Sequence, residues 1–578
     1  MNAEQNTNEE LSLKGASWNC QKIDPQVIAL LEASSYNHKL ARCLALIGIS
    51  DAQSAAAFLE PKITDLYEPE LMMGMPKAVA RLNDAIKRQE SIRVVTDYDV
   101  DGTTSSLILQ SVLEILGHKD FSYHIPHRMT EGYGFSMRAA ECAVADGVKL
   151  IVTADIGVRD HKSIAYAQEH GIDVMVLDHH LPEGQGVPEE AFVVLCPPQS
   201  GCSYPNPALA ACGIALKFAQ AMLRSHPKYD LILRSLMKLA ALGTVADVVS
   251  LKAAENRAIV ALGLEELNNG RHKPGLQALL DVSKAERGQI TSETIGYRIA
   301  PRINAAGRLS TATSIVELLR SNDPASANVM ASQIDEINKE RQELQAEMLK
   351  RVLSELPEEL PDYLCIAHKE SDTWHRGVVG ILAGNVREAI NRPVALASIA
   401  GDTAVGSTRS IPRVHALKAL ESASSILLRY GGHAAAAGFT VSMSNWDDFC
   451  KKMQESAHKQ TQGKQTAAVI DIALELELSD IDDELWRNLC ALEPFGKDNP
   501  EPMLCFRKLR FNNVRVLQNK HLSGNFAPHY PDIRFIWFGG AEHYEACVGT
   551  EVDILAFLRL NRWNGRSNYQ LMIQDVRV

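Results

Sequence analysis

The sequence predicts an α/β protein of several domains: a larger unit on a parallel sheet, a long connecting helix, a smaller α/β unit, and a C-terminal β-barrel of the OB-fold type. Three observations carry this. From Ser91 onward, short apolar runs alternate with helical stretches, which reads as βαβ units on a parallel sheet. Met330, Ile334, Ile337, Leu344, Met348 and Val352 then form one apolar stripe at helical spacing. Later, Ile470, Ile472, Leu474, Leu476 and Leu478 alternate strictly with other residues, the mark of a half-buried strand.

At 578 residues the chain exceeds one core and suggests about three or four domains. Residues 1–90 look helical and carry no readable chemistry. The polar stretch at residues 1–15 has no apolar core or small-residue cleavage site, so it does not read as a secretory signal. No apolar run reaches the roughly 18–20 residues of a membrane span, and a cytoplasmic location is expected. Ile92-Arg93-Val94-Val95 ends in an acidic loop, Asp97-Tyr98-Asp99-Val100-Asp101-Gly102, followed by a helix to about Gly117. Leu150-Ile151-Val152 ends in Thr153-Ala154-Asp155, and Val174-Met175-Val176-Leu177 ends in Asp178-His179-His180.

Asp323-Pro324 is a helix start, an N-cap followed by proline at the first helical position. The long helix beyond it should pack its stripe on a neighbour, with a zipper-type dimer as the alternative. Residues 362–460 read as the smaller α/β unit, with a polar linker near residues 458–465. Asn564-Gly565 is a hairpin signal ahead of the strand Tyr569–Ile573. The expected divisions are 1–75, 76–320, 321–357, 358–462 and 466–578.

Apolar residues make up 46% and charged residues 22%, ordinary for a globular protein. Eleven cysteines without a CxxC pair read as free thiols; Cys142, Cys196, Cys202 and Cys212 lack zinc-ligand spacing. The net charge of −12 argues against indiscriminate nucleic-acid binding, which leaves a basic footprint. A basic groove in an acidic protein remains open, and metal ions on carboxylates would draw phosphate locally.

The chemistry gathers at the strand ends. In an extended loop Asp97, Asp99 and Asp101 would share one side, since side chains alternate with period two. Three carboxylates so placed repel one another unless a cation neutralises them. Mg²⁺ and Mn²⁺ suit that oxygen-rich setting, and imidazole from a neighbouring strand favours Mn²⁺. Asp155 and His179 arrive from adjacent strands, and Asp247 follows a further apolar segment, Ala241–Ala246. Any one of these aspartates alone reads equally well as a helix N-cap; the set does not. The pattern DxDxD also opens calcium loops, but here an apolar helix follows in place of the required Glu.

Asp97–Gly102, Asp155, Asp178-His179-His180 and Gly243-Thr244-Val245-Ala246-Asp247 resemble the four successive motifs of the DHH phosphoesterases. Further segments resemble the RecJ exonuclease family within them: Pro126-His127-Arg128 with Glu131-Gly132-Tyr133-Gly134, Pro301–Leu309, and Trp374–Gly380. Gly406–Ser410 and Gly431-Gly432-His433 through Gly438 resemble the substrate-binding DHHA1 domain, and Leu492–Gly496 the opening of the family's OB-fold region. The likeness runs from about residue 75 to the end. Ile156 after Asp155, His127 and Thr408 depart from the usual residues without removing a ligand position.

The resemblance implies hydrolysis assisted by two divalent ions, Mn²⁺ or Mg²⁺. It implies Asp97, Asp99, Asp101, Asp155, His179 and Asp247 as ligands, Asp155 bridging, with His180 on the scissile phosphate and Asp178 orienting an imidazole. Arg128, Arg302, Arg308, Ser407, Arg409 and His433 would hold the substrate, arginine forks matching phosphate oxygens. The implied activity is 5′→3′ digestion of single-stranded DNA to mononucleotides in repair and recombination. The protein would be a monomer away from membranes, with a single-strand-binding protein and a helicase as further candidate partners. Trp537, Phe538, Trp563 and Tyr569 are candidates for stacking bases. A small-substrate phosphodiesterase or pyrophosphatase of the same superfamily, and a catalytically inert scaffold, are the alternatives.

Overall fold

The computed structural model describes residues 11–578 except 129, 183, 185, 310, 373, 464–466, 527–529, 564 and 565. The larger unit is built on five parallel strands, β1 (Ile92–Thr96), β2 (Phe121–His124), β3 (Leu150–Ala154), β4 (Asp173–Leu177) and β5 (Val193–Leu195). Their order is β2-β1-β3-β4-β5. β3 is buried along its whole length, as expected of a strand covered on both faces. Thr96 lies opposite Ala154 and Ala154 opposite Leu177, so β1, β3 and β4 end level. The next residues, Asp97, Asp155 and Asp178, therefore emerge along one edge. Strand order reverses between β1 and β3, and ligands of such sheets bind in the crevice at that point.

Three helices close over this edge: α1 (Val100–Ile115), α2 (Ala211–Leu223) and α3 (Tyr229–Ala246). Buried Thr103 and Thr104 donate back to the carbonyls of Asp99 (2.6 Å) and Val100 (2.8 Å), which satisfies their hydroxyls inside the core. Small residues let the helices meet closely. A Cβ on Gly243 would fall 2.6 Å from Thr104 Oγ1 and 2.9 Å from Asp101 Oδ1. Two expectations change here. The acidic loop is not extended, because Asp99 already caps α1 and Asp101 lies in its first turn. The segment before Asp247 is the end of α3, not a strand, and Asp247 is its C-cap.

After α4 (Ala300–Leu309), the expected long helix is α5 (Pro324–Ser354), 31 residues capped by Asp323, whose carboxylate accepts from Ser326 N at 2.8 Å. Ala331 and Ile334 join the core of the first unit, whereas Met348 and Val352 join that of the second. At about 1.5 Å per residue it spans about 46 Å, and its stripe is used within the chain. The second unit has strands β6 (Leu364–Lys369), β7 (Val394–Ala400), β8 (Thr403–Arg409), β9 (Leu427–Gly432) and β10 (Ala436–Ser442), ordered β9-β10-β8-β7-β6. Only β6 and β7 are parallel. Helix α6 (Arg376–Ile390) packs on this sheet, and α7 (Trp446–Thr461) runs through His458, where the linker was expected to begin.

The C-terminal region carries a seven-stranded, mainly antiparallel sheet. Residues 470–478 form two short strands and a 3₁₀ turn in place of one strand. The final strands, Val552–Trp563 and Arg566–Arg577, pair antiparallel; Asn564-Gly565 lies outside the described residues. The N-terminal segment is not purely helical, since Ala16–Cys20 pairs in parallel with Ala468–Ile472. Leu31 and Leu44 from its helices share one core with Leu474 and Leu485, so the two ends of the chain fold together. Among the described residues no helix is long and apolar enough to cross a membrane.

Candidate metal centre and substrate cleft

Asp97 follows β1 directly and is 4% exposed. Its neighbour in space is Gly102, where a Cβ would stand 2.3 Å from the Asp97 carbonyl oxygen, so only glycine lets α1 start this close to the strand. Asp99 accepts from Gly102 N at 3.0 Å. Both Asp101 oxygens accept backbone N–H groups at the start of α2, Ala211 N at 2.7 Å and Cys212 N at 2.8 Å. Asp155 sits at φ +64°, a left-handed conformation uncommon outside glycine, that is held by its N–H to Leu177 O (3.0 Å) and by Tyr133 Oη donating to its carbonyl (3.0 Å).

His179 Nε2 lies 3.2 Å from Asp155 Oδ1 and 3.9 Å from Asp101 Oδ2, and its Nδ1 lies 3.6 Å from Asp247 Oδ2. Three triads of ligand atoms each fall within 4.8 Å: Asp97, Asp99 and Asp155; Asp101, His179 and Asp247; Asp155, His179 and His180. Asp178 serves differently. Its Oδ1 accepts from the backbone of His179 (2.8 Å) and His180 (3.1 Å) and from His180 Nδ1 (2.8 Å), and its Oδ2 accepts from Val158 N (3.0 Å).

The electrostatics separate these roles. Burial, then the Asp99 charge, pushes the Asp97 and Asp155 carboxyls well above the usual range. Burial and Asp101 push Asp247 up to about 8, against the opposing charges of His179 and Lys497. Burial opposes charge on His179, but Asp247 and Asp101 outweigh it and raise its pKa. Burial also opposes charge on Asp178, yet the His180 bond and neighbouring imidazoles hold its carboxyl low. Asp97 Oδ1 and His179 Nε2 are buried without a hydrogen bond. Buried polar atoms normally have partners, and mutually repelling oxygens with an imidazole nitrogen are the donor set a hard divalent cation completes. The residues fit such an ion.

Of the expected substrate residues, Arg128, Arg308 and Arg409 come together between the two α/β units. The Arg128 guanidinium lies over Tyr98, 5.0 Å from its ring centre, and its charge reaches both Asp97 and Arg409. Arg308 donates to Gly377 O at 2.9 Å, and burial with Arg128 and Arg341 lowers its pKa to about 9. Arg409 donates to Ser407 Oγ (2.6 Å) and Thr408 O (2.9 Å), and both side chains lie near α6 at Gly380. Three arginines that weaken one another's charge suit an anion.

Arg302 does not join them. Its fork is taken by Asp335 of α5, with Nε at 2.9 Å and Nη2 at 2.8 Å from Oδ1. His433 is exposed in the β9–β10 turn. Sequence reasoning missed Arg341, Tyr133 and Lys497 as site neighbours. Arg341 was the most legible, because it stands midway between Ile334 and Met348 on the apolar stripe of α5 and is 8% exposed.

A groove of about 1030 Å³ runs from Val245 and Val248, beside Asp247, past Arg308 and Arg341 to Trp486 and Phe557 of the C-terminal region. Two stacking expectations change. Trp537 is fully buried and stacked on His543, a core residue, and the Tyr569 hydroxyl is bonded to Asp483. Phe538 is 54% exposed, and the Trp563 side chain lies outside the described residues.

Comparison with known proteins agrees with this architecture. Family models match residues 91–244 (DHH family, N-terminal domain), 363–459 (DHHA1 domain) and 472–575 (RecJ OB domain). The single-stranded-DNA-specific exonuclease RecJ of Bacillus subtilis is 34% identical over 97% of this chain and 71% of its own. That of Escherichia coli is 32% identical over 93% of this chain and 95% of its own. The crystal structure of Thermus thermophilus RecJ in complex with Mn²⁺ superposes with a TM-score of 0.81 at 28% identity, covering 97% of this chain and 79% of that one.

Proposed function

The chain belongs to the RecJ family of DHH phosphoesterases, and on that basis we propose that it is a 5′→3′ exonuclease specific for single-stranded DNA, acting in repair and recombination. The observation that carries the chemistry is the pair of buried, unbonded ligand atoms, Asp97 Oδ1 and His179 Nε2, in a cluster of raised carboxyl pKa values. Asp97, Asp99 and Asp155 would hold one ion, and Asp101, His179 and Asp247 the other, with Asp155 reaching both through its 3.2 Å approach to His179. Bound Mn²⁺ or Mg²⁺ would supply the activated water and offset charge on the scissile phosphate.

The protein's own groups do the positioning. Asp178 fixes the His180 ring through Nδ1, which leaves Nε2 to donate to a phosphate oxygen. The Tyr133 hydroxyl, 3.3 Å from both ring nitrogens, also holds the ring, and a phosphate oxygen would replace it at Nε2. Arg128, Arg308 and Arg409 form the phosphate-holding wall, with Ser407 beside them and His433 at its rim. Arg302 braces α4 against α5. The enzyme acts as a monomer in the cytoplasm, and a single-strand-binding protein and a helicase would deliver its substrate.

Purified protein with Mn²⁺ or Mg²⁺, given 5′- and 3′-labelled single strands, duplex and a cyclic dinucleotide, tests this. Labelled mononucleotide should appear at once from the 5′ label and late from the 3′ label, with duplex untouched. Preference for the cyclic dinucleotide, or equal attack on duplex, would contradict it.

A further inference from the structure

Tyr297 is 81% exposed, more than any other large hydrophobic side chain in the described residues. It lines the groove that leads away from Asp247, and no hydrogen bond or ring contact holds it among the described residues. Its backbone, by contrast, is firmly set. Ile295–Ile299 is a single π-helical turn, a rare device that recurs at functional sites. Ile295 and Ile299 on either side of Tyr297 are fully buried. Thr291 caps the helix start, and Ser292 Oγ donates to Phe495 O of the C-terminal region at 2.6 Å. A Cβ on Gly296 would meet nothing within 4 Å, so the space above this turn is open.

The groove lining carries both signs of charge. Arg308 and Arg341 come from α4 and α5. Glu293, Glu493 and Glu501 line it too, and Glu501 occupies the fork of the neighbouring Arg559. A single strand entering such a groove turns its phosphates to the arginines and away from the glutamates, which leaves its bases to the uncharged lining. An exposed tyrosine presents a large flat face with few rotors to immobilise, which makes stacking inexpensive in entropy. We propose that Tyr297 is a base-stacking post that grips one nucleobase of the single strand in this groove. This rests on the single-strand reading above, and it places the stacking surface on the π-turn and not on the terminal strands.

The test uses the full-length enzyme with Mn²⁺ and 5′-phosphorylated strands, each carrying one abasic position at an increasing distance from the 5′ end. Tyr297→Ala should raise KM for intact strands about 5- to 150-fold, the range of one lost base stack, with kcat little changed. Tyr297→Phe should stay within about twofold of the natural enzyme, because the ring face is kept. With Tyr297 present, one abasic position should raise KM sharply; with Ala that position should become silent. Identical abasic profiles for the natural enzyme and Tyr297→Ala would overturn the proposal. Failure of the natural enzyme to degrade intact single strands would instead overturn the function it rests on.

Discussion

The larger α/β unit buries carboxylates at two places, and the two clusters are built on opposite plans. Glu255 is fully buried, but its Oε1 accepts from the Tyr204 hydroxyl (2.7 Å) and Tyr67 N (3.1 Å), with Lys217 Nζ at 3.1 Å, and its Oε2 accepts from Asn206 (3.2 Å). Every charge there has a protein partner. Asp97 and Asp155 are buried nearly as deeply, yet face chiefly Asp99, Asp101, Asp247 and two imidazoles. Burying charge is costly unless it is paired. The first cluster therefore supports the fold, and the second is complete only with something the chain does not supply.

The largest expected effect separates the two by exchanging stability and activity. Asp155→Ala should cut hydrolysis by about a thousandfold or more, equivalent to about 4 kcal/mol in the barrier, while thermal unfolding in chelator is unchanged or improved. Glu255→Gln should do the reverse: leaving Lys217 buried without a counter-charge costs about 3–5 kcal/mol of stability, while turnover per folded molecule stays normal. Near-normal turnover in Asp155→Ala, or lost turnover in well-folded Glu255→Gln, would break the contrast.

A second difference concerns added metal. Mn²⁺ at about a hundred times its Kd should stabilise the natural protein by about 2.7 kcal/mol per bound ion and Glu255→Gln equally, but Asp155→Ala far less. Scanning fluorimetry reads this directly, and equal stabilisation of all three would place the ion elsewhere.

A smaller effect is expected at the arginine wall. Arg409→Ala should lower kcat/KM about 10- to 150-fold on 5′-phosphorylated strands, the worth of a charged hydrogen bond. The loss should shrink on 5′-hydroxyl strands, and Lys should restore it only in part, because it lacks the fork. Equal slowing of both substrates would assign polarity to another residue, with Arg128 next.

The smallest effect is at Lys497, an exposed cation from the C-terminal region whose charge opposes the rise of Asp247. Lys497→Ala should tighten Mn²⁺ binding by no more than about fivefold, within the range of exposed pairs, and the change should fade at high salt. A larger or salt-independent change in a calorimetric titration would mean a direct structural role.

Much of the metal cluster was legible in the sequence because strand ends that run level deliver consecutive motifs to one edge. Asp97, Asp155 and His179 needed only that geometry. The local form of Asp99 and Asp101 was misread, since spacing by two fits an extended loop as well as an N-cap followed by a first turn. Asp247 was misread for a related reason: Ala241–Thr244 is buried throughout, and a run of consecutive buried residues carries no amphipathic period to distinguish a helix end from a strand. Arg302 was indistinguishable from Arg308 before its ion partner on α5 was placed, because Asp335 lies 33 residues away. The five-residue strand Ala16–Cys20 gave no signal, as its partner lies at the other end of the chain. Trp537 could be read as a stacking surface or as core, and only burial decides between them.

The most direct test is the number of ions the cluster takes. Equilibrium dialysis against Mn²⁺, with the natural protein beside Asp155→Ala and Glu255→Gln, should give two ions per chain for the natural protein and for Glu255→Gln. Asp155→Ala should hold at most one, weakly. Two tightly bound ions in Asp155→Ala, or none in the natural protein, would contradict the metal centre on which the whole account stands.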